Sequence, residues 1–159
     1  MIKVSVCMPN YNYGRYIEEA ILSVFNQDYE NIELIVVDDG STDNSLEIIH
    51  KYKKISPITM KVLNGKHRGV AAAMNIAINS CTGSWIAMFH SDDFSDKTRI
   101  SKQVSMIKKN DVLIHSGYLN IDQNGKKDSY DSSLEMPPCQ GEDFTNLLLH
   151  KRDVRSPTI

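Results

Sequence analysis

Four short apolar runs, residues 3–8, 32–37, 58–63 and 85–89, alternate with segments whose apolar residues recur at helical spacing. Parallel strands need a long crossover between them, and helices supply it, so this alternation predicts an α/β fold with a mostly parallel sheet. The crossovers are expected to be right-handed. In the first run Val4, Val6 and Met8 share one face, Ser5 and Cys7 the other, and Pro9 is expected to stop the sheet hydrogen bonding. Ile32 to Val37 is nearly continuous in apolar residues, as a strand covered on both faces should be. Trp85 to Phe89 reads as a buried strand as well. The predicted helices run from Tyr16 to Asn26 with a stripe of Ile17, Ile21, Val24 and Phe25, through Leu46 and Ile49 to about Lys54, and from Val70 to Asn79. Alanines 71, 72, 73 and 77 permit the last of these to lie close on the sheet.

Each run stops at a polar cluster, and in open α/β sheets ligands bind outside the carboxyl ends of the strands. After the first run come Asn10-Tyr11-Asn12-Tyr13-Gly14. The Tyr11 ring can stack on a flat base or pack against its own loop. After the second come Asp38-Asp39-Gly40-Ser41-Thr42-Asp43. Gly40 allows a tight turn, and Ser41, Thr42 and Asp43 are expected helix caps. Caps do not account for two carboxylates before the turn. These either stabilise it as an Asx motif or accept hydrogen bonds from a nucleobase N–H or ribose hydroxyls. The third run leads into the basic loop Asn64 to Gly69. Lys66 reads there as a solvated turn residue, and Arg68, nearer the next helix, is the better phosphate candidate. The fourth ends in His90-Ser91-Asp92-Asp93. Adjacent carboxylates repel unless a cation or proton sits with them, and a hard divalent ion suits them. Alternatively they face water or start the next helix.

Beyond Asp93 the pattern weakens. Ser95 can cap a helix to about Lys109 carrying Ile100, Val104 and Ile107 inward. A strand is expected at 112–115, a hairpin turn at Asn124-Gly125 with a return strand at 126–130, and a last helix at 141–150. The length of 159 residues suits one domain, and a net charge of −2 gives no bulk reason to expect nucleic acid. Three cysteines without metal-ligand spacing argue against a disulfide framework. No apolar stretch approaches the roughly 20 residues of a membrane span, so the expected compartment is the cytoplasm.

The motifs also stand in a specific order: Val4 to Asn12, Val36 to Asp43, Arg68 to Asn75, Cys81 to Ile86, and His90 to Asp93. In this order, from Lys3 to about Asp122, the chain resembles the family-2 glycosyltransferases of GT-A fold. The resemblance implies a Rossmann-like nucleotide-sugar-binding domain at residues 1–122. Residues 123–159 would then hold the hairpin's return strand, a loop and a short terminal helix. It implies that Pro9 and Tyr11 belong to the uridine loop, with Tyr11 stacked on uracil and Asp39 accepting the N3–H. Asp38 would support the ribose side, Arg68 would lie near the diphosphate, and Asp92 would reach the ribose or sugar. Asp93 would hold Mn²⁺ or Mg²⁺, with Asp92 and His90 as further candidate ligands. The implied reaction is inverting transfer from a UDP-sugar to a hydroxyl of a saccharide or lipid-linked saccharide, as in polysaccharide biosynthesis. Further segments or partners could bring the protein to the inner face of the membrane.

Three departures qualify the match. His90 stands where the family often has an aspartate, and histidine suits Mn²⁺ better than Mg²⁺. Met74 stands where an arginine is common. The segment that carries the family's general base has no convincing counterpart. Glu142, Asp143 and Asp153 lie in the tail without the expected surroundings. The expectation is therefore donor binding without transfer by these residues, and the alternative is a nucleotide-binding module that performs no transfer at all.

Overall fold

The first strand, β1 (Val4–Asn10), is buried along its whole length because it runs down the middle of the sheet. The structure is a computed structural model and describes residues 1–108, residue 114, and strand residues 119–121 and 127–131. The chain divides into two compact units, Met1–Ser101 and Lys102–Ile159. In the first, β1 is followed by α1 (Ile17–Phe25), β2 (Ile32–Asp38), α2 (Ser45–Lys54), β3 (Thr59–Asn64), α3 (Val70–Asn79) and β4 (Trp85–Met88). The four strands form a parallel sheet in the order β3-β2-β1-β4, as the alternation predicts.

Both faces of the central strands are covered. Cys7, Ile35 and Val37 meet Ala73, Met74 and Ala77 of α3, whose small side chains let the helix sit close. Val6, Met8, Leu34 and Val36 alternate with these and are also fully buried. Each such aliphatic side chain stabilises the fold by roughly 1.5–3 kcal/mol. Cys7 behaves as a small core residue, its Sγ 3.3 Å from the Cys81 Sγ, and both are free thiols.

Pro9 does not stop the strand. Pairing with β2 continues through Pro9↔Val37 to Asn10↔Asp38. The reason is the direction in which the missing N–H would point. The carbonyls of Lys3 and Cys7 accept from Trp85 and Phe89 of the β4 segment, so odd-numbered residues of β1 face β4. That pairing ends at Cys7↔Met88, and Pro9 therefore forfeits no ladder bond.

β4 differs from expectation in another way. Within the described sheet it is an edge strand. Ala87 is buried, but Ile86 and Met88 are exposed on the other face.

At the amino end of the sheet Glu33 is buried and fully engaged. It accepts from Ser5 Oγ at 2.7 Å, Thr82 N at 2.6 Å and Thr82 Oγ1 at 2.8 Å, and pairs with Lys3 Nζ at 3.2 Å. Burial pushes its pKa up, but the hydrogen bonds from Ser5, Thr82 and Lys3 outweigh this and hold it at about 2. Gly83 belongs to the same knot. Its N–H donates to Ser5 Oγ, and a Cβ there would lie 2.7 Å from the Lys3 carbonyl. The knot fixes where β4 starts beside β1.

The helix expected from Ser95 to about Lys109 is shorter, α4 (Arg99–Ser105). Ser95 is not its cap, because it lies four residues before the first helical residue; its hydroxyl accepts from Arg99 Nη1 at 3.0 Å. Further on, β5 (Leu119–Ile121) and β6 (Lys127–Asp131) pair antiparallel with a register irregularity; β6 falls at the expected return strand, whereas β5 lies beyond the run expected at 112–115. Ile114 lies outside regular structure. The rest of the run at 112–115, the Asn124-Gly125 turn, the helix at 141–150 and the tail carboxylates lie outside the described residues.

Candidate functional site

The strand order places β2 on one side of β1 and β4 on the other. The chain leaves β1 for β2 in one direction and later returns to β4 on the opposite flank, which makes the carboxyl end of β1 a switch point with a crevice. The residues predicted from the sequence gather around it.

The loops after β1 and β2 are tied together first. Asn10 Nδ2 donates to Asp38 Oδ1 at 2.8 Å and to Ser41 Oγ at 3.1 Å. The Ser41 hydroxyl also donates to Asp38 Oδ1, and Ser41 N donates to Oδ2 at 3.0 Å. Asn12, in the left-handed region at φ 59°, accepts from Thr42 N at 2.7 Å. Gly14 N donates to Asp43 Oδ2 at 2.8 Å, and a Cβ on Gly14 would lie 2.0 Å from Asn44 Oδ1. Ser41 and Thr42 are thus not helix caps. Asn44 occupies the N-cap of α2 without a side-chain bond, and only Asp43 contributes, through Ser45 N at 2.9 Å. Asp38 is buried with both oxygens engaged in this clamp, so it shapes the pocket from behind. Pro9 is likewise buried within β1.

Asp39 is the opposite case. Its N–H donates to the Asn10 carbonyl at 2.8 Å, and its Oδ2 accepts from Gly69 N at 2.7 Å. Its Oδ1 is buried and has no partner. An unpaired buried acceptor costs about 1–3 kcal/mol, which a donor on a ligand would relieve. The loop between β3 and α3 wraps this carboxylate so closely that a Cβ on Gly65 would lie 2.2 Å from Oδ1. Tyr11, beside it, is 39% exposed, and its ring centroid lies 4.5 Å from that of His67 at a 40° tilt. Arg68 is exposed just before Gly69, the N-cap of α3. Lys66 is exposed too.

The acidic pair lies across the crevice. The Tyr13 phenol hydrogen-bonds Asp92, and burial, then the Asp92 charge, raise its pKa. This links the loop after β1 to the loop after β4. Asp93 is held above the ordinary carboxylate range by burial and next by Asp92, with His90 and Arg99 opposing. Arg99 stacks 4.2 Å above the Phe89 ring and donates to the Met88 carbonyl at 3.1 Å. Among the described residues no three His, Cys, Asp or Glu side chains form a ready metal cage. His90 precedes the pair by two residues and opposes the rise in the Asp93 pKa. Two carboxylates that repel each other, completed by diphosphate oxygens, still fit a Mg²⁺- or Mn²⁺-type ion, which binds through one or two carboxylates plus substrate phosphates.

Three contributors escape a sequence reading. Tyr13, His67 and Arg99 carry no motif signal. Tyr13 shared Tyr11's loop, and only the fold shows that it reaches the acidic pair.

A family model described as glycosyl transferase family 2 matches residues 5–158. A curated but uncharacterized glycosyltransferase from Haemophilus influenzae is 38% identical over 125 residues, covering 78% of this chain and 50% of that protein. An uncharacterized glycosyltransferase of Nostoc is 32% identical over 148 residues, covering 93% of this chain and 46% of its own length. Among solved structures, Staphylococcus aureus TarS in complex with UDP-GlcNAc superposes with a TM-score of 0.60 at 32% identity, covering 65% of this chain and 30% of that one. The mannosyltransferase PcManGT of Pyrobaculum calidifontis, in complex with GDP-Man and Mn²⁺, gives 0.65 at 25% identity, covering 69% and 34%. The fold is the GT-A fold of these glycosyltransferases. The chain belongs to glycosyl transferase family 2, and it spans about half the length of the curated relatives just described. Among the described residues no helix is long and apolar enough to cross a membrane.

Proposed function

We propose that this chain forms the donor half of an inverting glycosyltransferase that takes a UDP-sugar and passes the sugar to a hydroxyl of a saccharide or lipid-linked saccharide. The observation that carries this reading is the unpaired, buried Asp39 Oδ1 beside the exposed Tyr11 ring. An orphaned acceptor next to an aromatic face is what a uracil N3–H and ring would satisfy. TarS with UDP-GlcNAc supports the same choice, whereas PcManGT holds GDP-Man.

In this reading the Asp38 clamp holds Tyr11 and Asp39 in register, and Asp92 faces the ribose or sugar. Asp93, with Asp92, would hold Mn²⁺ or Mg²⁺, which supplies Lewis-acid neutralisation of charge on the departing diphosphate. Arg68, at the start of α3, is free to swing to the outer phosphate. The general base that takes the acceptor proton is assigned to none of the described residues. A role in polysaccharide biosynthesis at the cytoplasmic face of a membrane fits this donor and acceptor chemistry.

The test is calorimetric titration with UDP, GDP and CDP, each with Mn²⁺. UDP is expected to bind tightest. Equal affinities for all three would overturn the uracil assignment. A product assay with UDP-sugars and saccharide acceptors then separates a transferase from a binding module without turnover.

A further inference from the structure

We propose that His67 is the second wall of the base slot, so that the nucleobase lies between the rings of Tyr11 and His67. The proposal rests on the reading of Tyr11 and Asp39 as base contacts and adds a residue that no motif assigns. The two ring centroids are 4.5 Å apart and tilted by 40°, so the imidazole already covers the face on which a base would stack. Rings that close admit no third ring, and binding must part them. The loop is built to allow it. His67 is exposed and sits between Gly65 and Gly69. It holds a left-handed backbone at φ 51°, which a residue with a Cβ adopts rarely. Gly69 is also at positive φ, 89°.

The anchors on either side direct the ring. Gly65 N donates to the Asp38 carbonyl at 2.6 Å, and Gly69 N donates to Asp39 Oδ2 at 2.7 Å. Gly40, at φ 86°, passes beneath His67, where even a Cβ would stand 3.7 Å from the His67 Cβ. No side chain from the β2 turn intrudes there. The same loop packs against Asp39 through Gly65 and leaves its Oδ1 buried and unpaired. Parting the rings offers a base two aromatic faces at once, and stacking on them gives affinity without hydrogen-bond readout.

The experiment titrates the chain with UDP and, as a ring-free probe, with inorganic pyrophosphate, both in Mn²⁺. His67→Asn keeps a residue that tolerates the left-handed backbone but removes the ring, and His67→Phe restores one. His67→Asn is expected to weaken UDP by roughly tenfold, the scale of one base stack, with pyrophosphate unchanged and His67→Phe recovering most of the loss. In wild type, UDP but not pyrophosphate is expected to shift the His67 ring-proton resonances, a readout that needs no variant. If His67→Asn binds UDP like wild type while Asp39→Asn does not, the wall is disproved and the base site stands. If pyrophosphate weakens equally, or Phe fails to rescue, His67 acts by something other than stacking and the proposal falls. If wild type binds no UDP, or Asp39→Asn binds it unchanged, the base site itself is wrong and the wall goes with it.

Discussion

Asn10 Nδ2 donates to Asp38 Oδ1 at 2.8 Å, and this bond joins the carboxyl ends of the two central strands. The same carboxylate takes both the amide and the hydroxyl of Ser41. The two loops that carry Tyr11 and Asp39 are therefore tied to each other.

Asp38→Ala leaves the Asn10 amide and the Ser41 N–H without their acceptor. The expected loss is about 1–3 kcal/mol per buried group left unpaired, read as a lower midpoint in urea denaturation. UDP affinity is expected to fall as well, because the clamp that holds the two loops together is lost. A midpoint equal to wild type would show that the clamp is incidental.

Asp39→Asn exchanges a charged acceptor for an amide at the vacant oxygen. Loss of a hydrogen bond to a charged group predicts UDP binding weaker by roughly 1.5–3 kcal/mol, or about ten- to a hundred-fold. Discrimination between UDP and CDP should shrink in parallel, because cytosine has no N3–H. Calorimetry on both nucleotides decides it, and retained discrimination would place base reading elsewhere.

Burial and the Asp92 charge already disfavour ionised Asp93. A divalent ion reverses that penalty, so UDP is expected to bind more tightly in Mn²⁺ than in chelator. Asp93→Asn should remove most of the difference. If wild-type affinity is the same in both buffers, the acidic pair holds no metal during donor binding.

Glu33 gives a pH prediction far from the crevice. Its carboxyl is depressed from 4.5 to about 2 in the folded chain, so the folded state binds fewer protons than the unfolded one. The stability it contributes is full above pH 4.5 and is lost as pH falls from there through about 2. Glu33→Gln should flatten that part of the stability curve and also lower stability at neutral pH, since its amide meets donors on Thr82. Urea midpoints across this window test it. An unchanged slope would mean that other carboxylates dominate the acid limb.

Much of this arrangement was legible beforehand because it follows from periodicity. Val70–Asn79 is a helix at the expected bounds, and the parallel sheet follows from strand–helix alternation. The errors have local physical causes. Ser41 has the chemistry of a cap, but a buried carboxylate three residues earlier competes for its hydroxyl. Trp85 to Met88 has the composition of a two-sided strand, yet Ile86 and Met88 are exposed on the face opposite the buried Ala87. His67 could not be found from spacing, because its contact with Tyr11 joins residues far apart in the chain. Pairings of that kind are decided by strand order, which composition does not encode.

Strand order also gives Pro9 a consequence beyond being tolerated. β4 leaves its partner after Met88, at the level of Cys7. An ordinary residue at position 9 would hold out one more N–H toward the departing chain, and the two strands could zip together for another rung. The imide nitrogen of Pro9 has nothing to offer. The β1–β4 ladder is thus ended at Cys7 by covalent chemistry, and the chain beyond Met88 is left to carry Asp92 to the Tyr13 phenol instead of running on beside β1.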